Sequence, residues 1–326
     1  MIITKTPYRI SFFGGGSDYP EWFNKYYGEV ISTTINKYLY ISCRELPHFF
    51  KHKFRIVYSK IENVKAINKI KHNGVKQLLN YLKVKNGLEI HYDGDLPSRS
   101  GMGSSSCFIV GLLNALTKDQ NINLNKKKLA NMSIEIERNI MKENVGLQDQ
   151  IAASYGGFNR IRFEKNNYTV NKIICKKSFR DDLNKKLFLL YTGKSRTAEK
   201  ITRSYTNKLS QNKKKNIKKI LDFVDQAKKI IKQNNSDDFG YLLNETWHQK
   251  RELSKLVSNN KIDYLYKKGL SSGALGGKLL GAGGGGFLMF YVNLNKKKDF
   301  LKSFENNVIV PIQLSNVGSE IIFYEK

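Results

Sequence analysis

Apolar residues recur along the chain in two patterns, one typical of strands and one typical of helices. Runs rich in β-branched and aromatic residues predict strands. These runs occupy residues 1–10, 28–46 (as paired strands), 54–58, 88–92, 156–163, 186–191 and 287–292. Apolar residues spaced three and four apart predict helices. The helices occupy residues 73–84, 104–116, 129–141, 217–232 and 239–257.

The order of these elements predicts the fold class and the domains. Strands and helices are mixed in both halves of the chain, which indicates an α+β architecture. A length of 326 residues favours two packed units. Between residues 166 and 182 the composition turns polar and basic, just before the predicted strand at 186–191. We therefore predict an N-terminal domain of residues 1–180 and a C-terminal domain of residues 181–326.

A loop with two glycines joins the strand at 88–92 to the helix at 104–116. It consists of Pro97, Ser98, Arg99, Ser100, Gly101, Met102, Gly103, Ser104, Ser105 and Ser106. Glycines let backbone N–H groups approach a phosphate, and the start of a helix carries partial positive charge. The loop lacks the G-x-x-x-x-G-K-[ST] pattern of the common P-loop. The alternative is an ordinary serine-capped helix after a glycine turn.

A second glycine-rich stretch at residues 278–287 formally contains G-x-G-x-x-G. A dinucleotide-binding fingerprint follows a strand and opens a helix, whereas these glycines lead into the apolar strand at 287–292. So many glycines are costly in conformational entropy for a turn that is only structural. We therefore expect this loop to pack closely against a ligand or against loop 97–106.

Three segments resemble, in order and spacing, the three motifs of the GHMP kinases, a family named after galactokinase, homoserine kinase, mevalonate kinase and phosphomevalonate kinase. The segments are residues 7–19, 97–106 and 281–287, so the resemblance spans nearly the whole chain. It implies a mixed-sheet N-terminal domain and a ferredoxin-like α/β C-terminal domain, with the active site between them. It also implies ATP as the phosphoryl donor, Mg²⁺ as its metal ion, and loop 97–106 around the ATP phosphates.

The resemblance also implies roles for individual residues. Ser105 and Glu137 would bind Mg²⁺, with Glu135 as the alternative carboxylate on the same predicted helix. Asp149 would be the catalytic base, and Arg9 would lie beside it and beside the transferred phosphoryl group. These residue types suit the chemistry, since phosphoryl transfer needs charge neutralisation and a carboxylate that takes the proton of the acceptor hydroxyl.

The substrate-binding candidates come from the same resemblance. Asp18 would bind sugar hydroxyls, although an Asx turn is a common role for aspartate after glycines. The other candidates are Gly15, Gly16, Ser17, Lys194, Arg196, Gly283 and Gly284. Lys194, Arg196 and Arg99 are candidates for holding a phosphate carried by the substrate, and exposed charges without a ligand are the alternative.

Residues 28–38 and 191–196 are similar to the branch of the family that acts on D-glycero-D-manno-heptose 7-phosphate. That similarity implies transfer to the anomeric hydroxyl, which gives the 1,7-bisphosphate for GDP-heptose and for surface or capsule polysaccharide. The galactokinase form of the first motif has acidic and histidine residues that residues 11–19 lack, which disfavours galactose. The alternatives are a kinase of an unphosphorylated sugar such as fucose and a sugar sensor that has lost catalysis.

Composition adjusts this interpretation in a few respects. The net charge of +28 suggests nucleic-acid binding, but the lysine runs are short, far apart and mixed with asparagine, so we expect no nucleic-acid partner. The charge would instead be a feature of the surface or attract anionic substrates. We expect a cytoplasmic protein that is a monomer or a homodimer, with no membrane partner. The three cysteines and five histidines lack metal-ligand spacing, and the cysteines are expected to be buried.

Overall fold

The structure is a computed structural model that describes residues 1–193, 198–206, 209 and 211–325. Within these residues the strands, in chain order, are β1 (Ile2–Phe13), β2 (Gly28–Glu45), β3 (Phe54–Val57), β4 (Ile61–Val64), β5 (Leu88–Gly94), β6 (Phe158–Glu164), β7 (Asn167–Lys172), β8 (Leu187–Tyr191), β9 (Ala274–Leu279), β10 (Phe287–Val292), β11 (Ile309–Pro311), β12 (Leu314–Ser315) and β13 (Glu320–Tyr324).

The α-helices of the same residues are α1 (Pro20–Phe23), α2 (Asn73–Tyr81), α3 (Ser104–Asp119), α4 (Lys126–Ile134), α5 (Gln148–Tyr155), α6 (Lys177–Lys186), α7 (Ala198–Thr206), α8 (Lys214–Gln233), α9 (Ser236–Arg251), α10 (Asn260–Ser271) and α11 (Lys297–Ser303). A π-helical segment, Glu135–Ile140, continues directly from α4. Two short 3₁₀ turns, Ile67–Lys69 and Leu294–Lys296, complete the helical elements.

The larger of the two sheets is built around β1 and β2. Its main path has the order β13-β1-β2-β5-β3-β4, and β6 and β12 also pair with β2 while β7 pairs with β6. The β3–β5 pair is parallel, and the other pairs are antiparallel. Because β12 and β13 lie in this sheet, the end of the described chain returns to its beginning. The predicted division at residue 180 stays a prediction.

The smaller sheet has the order β11-β8-β10-β9 and is antiparallel. Strand β10 is buried at all six positions, as expected for an apolar strand that is covered on both faces. Helices α9 and α10 pack on β9, and α8 packs on α9 and also reaches β1 and β2 of the larger sheet. The two sheets therefore share a continuous hydrophobic core, in which Phe12 of β1 contacts Phe239 of α9.

Helix α3 is the central helix behind the larger sheet. It packs on β1 and β2, and eleven of its residues are buried, which explains why its sequence is apolar on nearly every side. Gly111 allows this close approach, because a Cβ there would lie 2.8 Å from Oγ1 of Thr6 on β1. The packing fixes the start of α3, and the loop before it, against the end of β1.

The structure confirms the predicted α+β class, with one mixed sheet and one smaller sheet. It also corrects two local predictions. Residues 28–45 form one long strand and not a set of paired strands, because β2 pairs successively with β6, β12, β1 and β5 along its length. The predicted helix 129–141 is α-helical only to Ile134 and then continues as the π-helical segment.

The three cysteines are free thiols and differ in burial. Cys43 and Cys107 are buried, Cys175 is partly buried, and all three are free thiols. Burial raises the pKa of the Cys43 and Cys107 thiols far above their usual range, so they behave as small apolar side chains. Within the described part of the chain, no helix has the length and apolar character that a bilayer crossing requires.

Candidate active site

Loop 97–106 wraps around the start of α3 and meets β1. Gly101 and Gly103 have φ values of 85° and 74°, a conformation that glycine adopts without strain, and Gly103 is the N-cap residue of α3. The Arg9 guanidinium donates to the carbonyl of Gly101 at 2.9 Å, and the Arg9 backbone N–H donates to the carbonyl of Met102 at 3.4 Å. Arg9 therefore holds the loop at two of its backbone carbonyls, through its side chain and its own N–H. The N–H groups of the loop lie at the N-terminus of a buried helix.

The glycine-rich loop between β9 and β10 packs on loop 97–106. A Cβ at Gly281 would lie 2.5 Å from Cα of Gly101, and one at Gly286 would lie 2.1 Å from the carbonyl oxygen of Ser100. The Phe287 N–H donates to that same oxygen at 3.2 Å. The sequence predicted that this loop packs against a ligand or against loop 97–106, and the structure shows the contact with loop 97–106. The glycines allow the two backbones to approach closely.

Arg9 and Asp149 form a bidentate ion pair between β1 and α5. The Arg9 Nε donates to Oδ1 of Asp149 at 2.7 Å, and Nη2 donates to Oδ2 at 2.6 Å. The Arg9 side chain is 5% exposed and the Asp149 side chain is 23% exposed, so the carboxylate keeps access to solvent. Oδ2 also lies 3.3 Å from the Cβ position of Gly103. The sequence-predicted base thus faces the predicted phosphate loop.

Asp18 is buried under Gly146. Its Oδ1 accepts a hydrogen bond from the Gly16 N–H at 2.9 Å, two residues earlier in the chain. This is not the Asx turn offered as an alternative, which would use the backbone N–H two residues later, a position held by Pro20. A Cβ at Gly146 would lie 1.9 Å from Oδ2, so only glycine fits above the carboxylate. Burial raises the pKa of Asp18, and the charge of Asp149 raises it further, while hydrogen bonds from Gly16 and Gln148 lower it.

Glu137 lies in the π-helical segment and is fully buried beside the start of α3. It accepts hydrogen bonds from the Ser105 hydroxyl at 3.0 Å and the Ser106 hydroxyl at 2.6 Å, and from the side-chain amide of Gln150. Burial raises the pKa of Glu137 to about 7. Glu135 is exposed and accepts from Asn139 at 2.5 Å, so only Glu137 of the two carboxylates contacts Ser105.

The raised pKa of Glu137 predicts a pH dependence of folding stability. Because the folded protein binds this proton more tightly than the unfolded chain, whose pKa is near 4.5, the free energy of unfolding falls as pH rises from about 4.5 to about 7. The contribution is on the order of 3 kcal/mol. We expect Glu137→Gln, which cannot titrate, to flatten that fall in denaturant unfolding measured between pH 4.5 and 8 without nucleotide.

Glu135→Gln is the matched control for this experiment, because it changes an exposed carboxylate two residues away. We expect its pH profile to follow that of the unmodified protein. A Glu137→Gln profile that runs parallel to the unmodified one across the whole interval would show that Glu137 does not hold a proton in the folded state.

Lys278 and Gln150 are buried polar residues near these groups that the sequence interpretation missed. The Lys278 ammonium donates to the carbonyl of Phe12 at 2.7 Å, and burial lowers its pKa to about 7, with the charge of Arg9 adding to the effect. A lone lysine among small and apolar residues in β9 was a signal available in the sequence. The contact of Gln150 with Glu137 joins two elements and had no such signal.

The other predicted residues lie in several places. Gly283 packs on the backbone of Val257, and the Gly284 N–H donates to the Val257 carbonyl at 2.7 Å. Ser17 is buried and donates to the carbonyls of Gly14 and Glu29. Pro97, Ser98, Arg99 and Ser105 are exposed, Ser100, Met102 and Ser106 are buried, and Gly15, Gly16, Gly101, Gly103 and Ser104 are buried or partly buried. Lys194 and Arg196 lie outside the described residues.

The sequence is similar to known kinases. The family model described as the GHMP kinases N terminal domain matches residues 65–157. The D-glycero-alpha-D-manno-heptose 7-phosphate kinase of Campylobacter jejuni is 32% identical over 317 residues, which cover 93% of this chain and 92% of that protein. A mevalonate kinase of Methanocaldococcus jannaschii is 31% identical over 231 residues, 70% of each chain.

A solved structure shares the whole architecture. The crystal structure of a D-glycero-D-manno-heptose 1-phosphate kinase from Bacteroides thetaiotaomicron superimposes with a TM-score of 0.81 and covers 100% of both chains. Because the two sequences are only 22% identical, this similarity establishes the fold and not the function.

The fold and the matched relatives define an ATP-dependent phosphotransferase whose acceptor is an alcohol group of a small molecule. The chain belongs to the GHMP kinase family. The family and the enzyme class expected from the three motifs are thereby confirmed. The roles of individual residues stay predictions.

Proposed function

We propose that the chain transfers the γ-phosphoryl group of ATP to the anomeric hydroxyl of D-glycero-D-manno-heptose 7-phosphate, giving the 1,7-bisphosphate. The observation that carries the proposal is the 32% identity to the heptose 7-phosphate kinase of C. jejuni, which extends over almost the full length of both proteins. The product would supply a route to GDP-heptose and surface polysaccharide in the cytoplasm.

In this proposal, loop 97–106 holds the ATP phosphates with its backbone N–H groups at the start of α3. The hydroxyl of Ser105 and the carboxylate of Glu137 offer oxygen ligands 3.0 Å apart, which suits the preference of Mg²⁺ for oxygen. Among the described residues, no three acidic, histidine or cysteine side chains form a metal cluster, so phosphate and water oxygens would supply the other ligands. Bound Mg²⁺ would neutralise phosphate charge.

Asp149 would act as the base. As the sugar oxygen forms its bond to the γ-phosphorus, the bond between that phosphorus and the bridging oxygen breaks, ADP leaves, and the hydroxyl proton passes to Asp149. Each carboxylate oxygen has two lone pairs and Arg9 uses one on each oxygen, so Asp149 can still accept this proton. Arg9 would also stabilise charge on the transferred group.

The substrate assignment is tested by ADP release with heptose 7-phosphate, fucose, galactose and mevalonate as separate acceptors. We expect kcat/KM for heptose 7-phosphate to exceed the others by about a hundredfold or more, because a site that binds the substrate phosphate loses those contacts with the other three. ATP hydrolysis without an acceptor is the background. Comparable turnover of fucose would reject the proposed substrate and leave the kinase class intact.

A further inference from the structure

Lys278 is a buried lysine that the proposed mechanism does not use. It is 3% exposed in β9, and its ammonium donates to the carbonyl of Phe12 on β1 at 2.7 Å. The structure shows no ion pair between it and any described carboxylate, and the charge that acts on it is the positive charge of Arg9. Lysine is rarely buried to this extent without a partner charge, because removing an ammonium from water is costly. An apolar side chain would cost less at this position.

The carbonyl that accepts this hydrogen bond belongs to a β-bulge. The register of β1 against β2 shifts between Ser11 and Phe13, so Phe12 is an extra residue of β1 without a partner in β2. A bulge leaves its extra residue outside the ladder and bends the strand, and bulges are frequent next to active sites. Phe12 is fully buried, so water does not reach its carbonyl. Lys278 thus supplies the hydrogen bond that the ladder does not.

The bulge lies immediately before the first glycine loop, which comprises residues 14–18. Ser17 fixes this loop to the larger sheet, since its hydroxyl donates to the Glu29 carbonyl and accepts from the Glu29 N–H, both at 3.0 Å. Such contacts lie within one sheet and do not fix the loop relative to the smaller sheet. The hydrogen bond from Lys278 to Phe12 joins the two sheets.

Lys278 also lies just before the glycine-rich loop that packs on loop 97–106. The Leu280 carbonyl oxygen would lie 2.5 Å from a Cβ on Gly101, and the carbonyls of Leu279 and Gly281 accept hydrogen bonds from the Lys250 ammonium. The end of β9 is therefore held against loop 97–106 by its backbone. Through the side chain of Lys278, the same strand end is held against β1.

We propose that Lys278 is a positioning residue that holds the first glycine loop, and with it Asp18, in place relative to loop 97–106. This inference rests on the proposed function, in which the first glycine loop contacts the sugar and loop 97–106 holds ATP. Phosphoryl transfer requires the acceptor oxygen and the γ-phosphorus in line, and a displacement of about 1 Å can lower the rate about a hundredfold. Lys278 acts through Phe12 and touches neither substrate.

Lys278→Met tests this role, because it removes the donor and keeps an unbranched apolar side chain. The Phe12 carbonyl then stays buried without a partner, which favours a shift of the bulge. We expect KM for heptose 7-phosphate to rise about tenfold and kcat to fall about tenfold. Kd for ATP should change by less than about twofold, since loop 97–106 keeps its contact with Arg9. Steady-state ADP release and equilibrium ATP binding are the measurements.

Hydrogen exchange locates the effect independently of turnover. We expect peptides that cover residues 12–18 to exchange about tenfold faster in Lys278→Met. Peptides that cover residues 97–106 and 281–286 should exchange as in the unmodified protein. Faster exchange across the whole chain would indicate general destabilisation and would overturn the positioning role.

Lys186→Met is the matched control, because Lys186 is another buried lysine. It is 8% exposed and pairs with Asp182 and Asp237, away from the glycine loops. We expect this variant to lose stability without a change in KM for the sugar, in kcat, or in the exchange of residues 12–18. Equal kinetic losses in the two variants would show that Lys278 has only a structural role.

A double-mutant cycle with Asp18→Asn tests the route of the effect. If Lys278 acts through the first glycine loop, Lys278→Met raises KM for the sugar by a smaller factor in the Asp18→Asn background than in the unmodified protein. Equal factors in the two backgrounds would overturn the link between Lys278 and Asp18. If Lys278→Met does not fold, Lys278→Gln, which keeps N–H donors on a side chain one atom shorter, gives the same comparisons.

The substrate proposal can fail separately from the role of Lys278. If the unmodified protein prefers fucose, galactose or mevalonate, the proposed substrate is rejected, and that acceptor replaces heptose 7-phosphate in the same comparisons. Unchanged kinetics and unchanged exchange of residues 12–18 in folded Lys278→Met would overturn the role of Lys278 and leave the substrate proposal intact. An unmodified protein that phosphorylates none of the four acceptors would contradict both proposals.

Discussion

Replacing Asp149 with asparagine should lower kcat by about 10³-fold while ATP binding stays within about threefold of normal. Asparagine has the same shape, but it cannot take the proton of the acceptor hydroxyl. Asp149 contacts Arg9 and borders Gly103 without contributing to the core, so loop 97–106 should remain in place. Single-turnover phosphoryl transfer and equilibrium binding of ATP are the two measurements.

The same substitution weakens a partly buried charge pair. Arg9 keeps its charge but loses a charged partner, so we expect the free energy of unfolding to fall by about 2 kcal/mol. Asp95→Asn is the control, because Asp95 is an exposed carboxylate that accepts from the Tyr38 N–H at 2.8 Å. Near-normal single-turnover rates in a folded Asp149→Asn protein would remove Asp149 from the role of base.

A methyl group at Gly286 should disrupt the contact between the two glycine loops. The Cβ would lie 2.1 Å from the Ser100 carbonyl oxygen, and φ at Gly286 is 102°, which disfavours any other residue. Because both groups are backbone, one loop must move. We expect Gly286→Ala to lower the free energy of unfolding by about 3 kcal/mol and to weaken ATP binding at least about tenfold.

Gly193→Ala separates the clash from the backbone conformation. Gly193 also has a positive φ, 76°, but the nearest atom to its Cβ position is the mobile end of Lys261 at 3.2 Å. This control should lose only the cost of the conformation, about 1–2 kcal/mol, and should keep ATP affinity. Equal losses of ATP affinity in the two variants would show that the loop contact does not support nucleotide binding.

The sequence predicted those features of the site that are carried by short segments. The glycines at 101 and 103 follow a strand and precede an apolar helix, and the structure has that strand, loop and helix. The close packing of the loop before β10 was likewise expected from its many glycines. These are local properties, since a glycine reports the backbone conformation or the approach of another chain segment at its own position.

The features that could not be predicted depend on how segments far apart in the sequence pack together. Glu135 and Glu137 could not be separated by periodicity, because the helix changes from α to π just before Glu135. The serines that contact Glu137 also lie far away in the chain. The contact between Lys278 and Phe12 depends on how the smaller sheet docks against the end of β1. Lys278 was missed because residues 278–287 were interpreted as one glycine-rich loop, whereas β9 extends to Leu279.

The position of β13 beside β1 has a consequence for biosynthesis. Ile2 pairs with Tyr324, so one edge of the strand that carries Arg9 and Phe12 acquires its partner only after nearly all of the described chain has left the ribosome. At about 5–20 residues per second, that edge stays open for tens of seconds. Open strand edges pair readily with other chains, so the newborn protein is exposed to aggregation at the strand that carries Arg9, the proposed partner of the catalytic base.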